Sequence, residues 1–123
     1  MKIKTSELIG PALDWAVAKC RGFDGLDDDL WLIRDGIADM PLHAYTPSTD
    51  WAQGGPIIDV IDGFQLKVWL ESRPQTKCEA HIHSYDGDYV AFGPTILIAA
   101  MRCFVASRLG DEVDVPKESL CTP

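Results

Sequence analysis

The spacing of apolar positions changes along this chain, and each change marks an element. Leu8, Ala12, Trp15, Ala16 and then Lys19 recur at helical intervals through PALDWAVAKC, which predicts a helix over about residues 10–21. Thr5-Ser6-Glu7 supplies capping chemistry ahead of it, Pro11 suits its first turn, and Gly22 ends it. GFQLKVWLES (63–72) instead alternates Phe64, Leu66, Val68 and Leu70 with Gln65, Lys67, Trp69 and Glu71, the period of a half-buried strand that Pro74 stops. CEAHIHSY and DYVAF flank Asp86-Gly87, a pair that closes hairpins, so two antiparallel strands are expected at about 78–85 and 88–92. GPTILIAAMRCFVASRLGDEVDVP opens on Gly-Pro, stays apolar, and stops at Gly110 before Pro116. It reads as a helix at about 94–109, buried nearly all round.

Two stretches carry no such period. In DGLDDDLWLIRDG (24–36), Asp27 to Asp29 either cap a short helix or solvate a turn. YTPSTDWAQGGPIID (45–59) crowds a ring, hydroxyls, acids and Gly-Gly-Pro together and is expected to be a binding loop. The resulting fold class is α+β: a small antiparallel sheet packed on a buried C-terminal helix, with the N-terminal helix alongside, in a single domain over 1–123.

Composition narrows the partners. The 123 residues are 46% hydrophobic and 24% charged, a globular balance. Nineteen acids against eleven bases give a net charge of -8, with no basic stripe to neutralise a row of phosphates, so a nucleic-acid duplex is not an expected partner. A small anion is still compatible, because a pocket needs only one or two bases and some backbone N–H groups. No run approaches the roughly 18 apolar residues of a membrane span and no apolar segment follows the N-terminal lysines, which suggests a cytoplasmic protein. Cys20, Cys78, Cys103 and Cys121 are scattered like reduced thiols, and Cys20 and Cys103 read as small core residues.

Within the C-terminal helix, Thr95, Ala99, Arg102 and Ala106 share one face that is small except for a guanidinium, so Arg102 needs either a carbonyl or carboxylate within the protein or a ligand's anion. The free N–H groups of the first turn at Gly93-Pro94-Thr95 form a second potential anion site. In the polar stretch Ser48, Thr49 and Gln53 offer hydrogen bonds beside Asp50, Gly54 and Gly55 permit close backbone approach, and Tyr45 or Trp51 offers a flat face. Together these ten residues form the expected ligand site: Tyr45, Ser48, Thr49, Asp50, Trp51, Gln53, Gly54, Gly55, Thr95 and Arg102. His81 and His83 point to one strand face and Cys78 to the other. With no fourth ligand evident, no metal and no cofactor are assigned. Paired catalytic carboxylates, a P-loop and a nucleophile elbow are all lacking.

MKIKTSEL, LDWAVAKC, YTPSTDWAQGGPII and GPTILIAAMRCFVASRLGDEVDVP together resemble the NinX family, small proteins of lambda-like phages and prophages. The resemblance implies a phage-encoded accessory protein acting in the host cytoplasm and carries over no reaction. Three functions are expected to compete: a homo-oligomeric sponge that holds a nucleotide-derived anion without turnover, an acidic module that inhibits a host protein, and a metal-dependent hydrolase on His81 and His83.

Overall fold

A computed structural model of the chain describes residues 1–69 and 74–117. The elements, in order, are β1 (Lys2–Lys4), a short 3-10 turn (Thr5–Glu7), α1 (Gly10–Cys20), β2 (Gly25–Leu26), β3 (Trp31–Arg34), β4 (Ile37–Pro41), a second 3-10 turn (Leu42–Ala44), α2 (Trp51–Asp59), β5 (Phe64–Val68), a third 3-10 turn (Pro74–Thr76), β6 (Cys78–Ser84), β7 (Gly87–Gly93), α3 (Ile96–Leu109) and β8 (Glu112–Asp114). The fold is α+β, with three small antiparallel sheets ordered β1-β8, β2-β3-β4 and β5-β6-β7.

The helix α3 lies across the inner face of β6 and β7 and against α1. Nine successive residues, Leu97 to Val105, are buried, as expected for a helix apolar on every side. Cys78, Ala80, Ile82 and Ala91 face it from the sheet, all buried. Seven successive residues of α1, Ala12 to Ala18, are buried, and all of them but Asp14 join the same core cluster. Thr95 caps α3 by accepting Ile98 N–H at 3.1 Å, and Gly110 ends it at φ 87, a conformation that glycine adopts without strain.

Three sequence expectations are corrected. The stretch 45–59 is not a loop throughout: a turn at Thr46–Asp50 leads into α2, with Asp50 Oδ1 accepting Ala52 N–H at 3.0 Å. Gly-Gly-Pro has poor helix propensity, and tertiary contact overrides it, because Gly54 is buried where a side chain would strike Pro47 and Leu97. The acidic stretch 24–36 is neither a short helix nor a bare turn but belongs to the β2-β3-β4 meander. Asp27 Oδ1 accepts N–H groups of Asp29 and Trp31 to close its first turn, and Asp35-Gly36, both at positive φ, close its second. The strand expected over 63–72 ends at Val68, and its positions 70–72 lie outside the described residues, as does Cys121.

Candidate functional site

Arg102 projects from α3 between the chain entering α1 and the end of β7. Its Nε donates to Leu8 O at 2.8 Å and its Nη1 to Phe92 O at 2.9 Å. A guanidinium carries five N–H groups, so two backbone carbonyls leave part of the donor set free. The residue is only 9% exposed, and among the described residues no carboxylate lies within ion-pair distance of it. Burial pulls its pKa below the ordinary value. The charge persists nonetheless, because arginine does not deprotonate in proteins.

Beside this guanidinium opens a cavity of about 300 Å³ whose walls include Lys4, Ser6, Val90, Ala106, Asp111 and Glu112. The walls come from both ends of the chain. Pairing of β1 with β8 sets Lys4 opposite Glu112, and Thr5 anchors the junction by donating N–H to Asp111 O and Oγ1–H to Gly110 O. The cavity is therefore bipolar, with two cations and two carboxylates around a small apolar wall.

A second hollow of about 280 Å³ forms where α2 begins and α3 begins, bringing Ser48, Thr49, Trp51 and Thr95 together with Ile96 and Leu97. Ser48 is buried, and its N–H donates to Asp14 Oδ1 at 2.9 Å. Burial raises the Asp14 carboxyl to about 6, against the opposing influence of nearby Ser48 groups that favour the carboxylate. Among the described residues Ser48 Oγ itself finds no partner of good geometry. Trp51 stays 56% exposed at the rim.

The ten residues expected to form one site are thus divided. Ser48, Thr49, Trp51 and Thr95 meet in the second hollow, whereas Arg102 lies seven residues along α3, about 10 Å up its axis, in the first. Tyr45, Asp50, Gln53, Gly54 and Gly55 line neither cavity. Tyr45 packs edge-on against Phe23 with ring centroids 5.6 Å apart, and burial pushes its hydroxyl up to about 12. The Gln53 amide accepts Thr46 N–H and donates to Ala44 O, both at 2.9 Å, which ties the turn to the helix. Lys4, Ser6, Asp111 and Glu112 escaped sequence reasoning because no local pattern links the two ends of the chain.

His81 and His83 do share the outer face of β6, while Cys78 is buried on the inner one. Among the described residues no group of three His, Cys, Asp or Glu side chains is placed to hold a metal. No helix among them is long and apolar enough to cross a membrane.

A family model described as "Bacteriophage P22, NinX" matches residues 4–108. Among solved structures, the crystal structure of a phage protein from Bacillus cereus ATCC 14579 superposes with a TM-score of 0.60 at 22% identity, covering 83% of this chain and 95% of that one. At that identity the likeness concerns the fold alone. No curated protein matches.

Proposed function

The chain belongs to the bacteriophage P22 NinX family, and from that premise we propose that it is a phage accessory protein that binds a small nucleotide-derived anion and holds it without turnover, as a counter-defence measure. The observation that carries this reading is Arg102: a residue 9% exposed beside a cavity, its guanidinium donating to two carbonyls and, among the described residues, meeting no carboxylate. An interior charge without a counter-charge is costly, and a bound anion supplies what the protein does not. Lys4 offers a second cation, and Asp111 and Glu112 offer acceptors for sugar hydroxyls across the cavity. The proposal includes self-association, for which the exposed Trp69, Val90 and Phe92 provide apolar surface.

Titration calorimetry with AMP, ADP-ribose, cyclic dinucleotides and inorganic phosphate tests it. At least one nucleotide should bind stoichiometrically with micromolar affinity, about 8 kcal/mol, and be recovered intact. Ala106→Phe should weaken binding at least tenfold by filling the cavity while sparing the Arg102 carbonyl bonds, and Trp51→Ala in the other hollow should not. No heat with any of these ligands at high protein concentration would sink the proposal.

A second reading, inhibition of a host protein through an acidic surface, is favoured by the exposure of Asp24, Asp28 and Asp29 around the β2-β3 turn. Asp28→Lys with Asp29→Lys should abolish capture of such a partner. Asp27 is unsuitable for this test because its carboxylate holds the turn.

A further inference from the structure

His81 and His83 stand two positions apart on β6, the central strand of its sheet, so backbone pairing on both sides fixes the spacing of their Cα atoms at about 7 Å. Each ring is engaged by a carboxylate through a different nitrogen: His81 Nε2 meets Glu79 Oε2, and His83 Nδ1 meets Asp88 Oδ1. Carboxylates only accept. In a neutral imidazole each proton therefore sits on the carboxylate side, and the lone pairs remain on His81 Nδ1 and His83 Nε2. This arrangement, with the ring held in one orientation and tautomer by an outer carboxylate, is how proteins position histidine for a metal. Both rings, together with Gln65 and Asp88, line one open hollow of about 500 Å³. Gln65 pairs directly across from His81 on β5, bringing an amide oxygen to the same face.

We infer that His81 and His83 chelate a divalent transition cation of the zinc, nickel or copper class on the outer face of β6, with Glu79 and Asp88 as the orienting carboxylates. Imidazole nitrogen selects these cations over calcium or magnesium, which favour oxygen donors. With two protein nitrogens and no third His, Cys, Asp or Glu placed to join them among the described residues, the remaining coordination positions belong to water, and the site is reversible rather than a structural clamp. The inference is independent of the Arg102 cavity and includes no hydrolytic step.

Titration calorimetry with zinc and nickel chloride on protein freed of any histidine tag is the test. One cation per chain should bind, with loss of affinity by at least about tenfold in His81→Gln and in His83→Gln, and by about tenfold in Glu79→Gln and Asp88→Asn through the orienting effect alone. The imidazole NMR resonances of His81 and His83 should shift with the same stoichiometry, and those of His43 should not. These side chains are on the sheet surface, so the variants should fold. Absence of binding at millimolar metal would overturn the inference, and so would undiminished binding in the His81→Gln/His83→Gln double variant, which would place the metal elsewhere on the chain.

Discussion

Asp14 sits on α1 with 4% of its surface exposed, and Ser48 N–H donates to its carboxyl. Its pKa rises from 3.8 to about 6, chiefly because burial penalises the charge. A carboxyl whose folded pKa exceeds its unfolded one binds more protons in the folded state between those values, so stability falls as pH rises from about 4 to 6 and is flat above. The shift is equivalent to about 3 kcal/mol. Asp14→Asn keeps an acceptor for Ser48 N–H without the charge. It should therefore exceed wild type in stability by about 1–3 kcal/mol above pH 6, with the gap closing towards pH 4. Urea unfolding across that range checks it, and parallel curves for the two proteins would refute it. At the same scale, the raised pKa values of Cys20 and Cys103, each about 11 through burial, keep both thiols protonated near neutral pH. Both should alkylate slowly in the folded protein.

At the scale of elements, α2 is the instructive case, because two adjacent glycines in one helix should respond oppositely to the same change. A methyl at Gly54 would lie 2.4 Å from Pro47 O and 2.6 Å from Leu97 Cδ2, so Gly54→Ala must push backbone aside and should cost about 1–3 kcal/mol. At Gly55 the nearest atom would be Trp51 Cε3 at 3.8 Å, so Gly55→Ala gains helix propensity and should stabilise by about 0.5–1 kcal/mol. Thermal or urea unfolding of the two variants separates the signs. The same contact explains why sequence reasoning read this stretch as a loop. Period and propensity report on residues within a few positions, whereas Leu97 lies more than forty residues away. By contrast α1, α3 and the β6-β7 hairpin declare themselves locally, through spacing, through Gly110 and through Asp86-Gly87.

For the whole molecule, the joining of the chain's two ends by β1 and β8 both completes the core and walls the Arg102 cavity. Val113, 3% exposed, pairs with Ile3 in that ribbon. Val113→Ala should cost about 2 kcal/mol. If the cavity binds the ligand, affinity should drop with it, because Lys4 and Glu112 flank the loosened pair. Leu42→Ala, buried beside α1 away from the cavity, should lose stability with affinity retained. Equal affinity losses in the two variants would show that the ribbon has no particular part in the site.

What the sequence by itself determined are the features written in local spacing: the helices α1 and α3, the hairpin of β6 and β7, the α+β class, and the presence at Arg102 of a charge in an apolar helix. What only tertiary structure decided is what those features touch. Arg102 ends against two carbonyls rather than an acid, Gly54 is pinned under Leu97, and Lys4 and Glu112 meet across the length of the chain. Local spacing can place a side chain on a face. Its partner depends on which distant segment the burial of apolar surface brings alongside, and no short-range pattern encodes that.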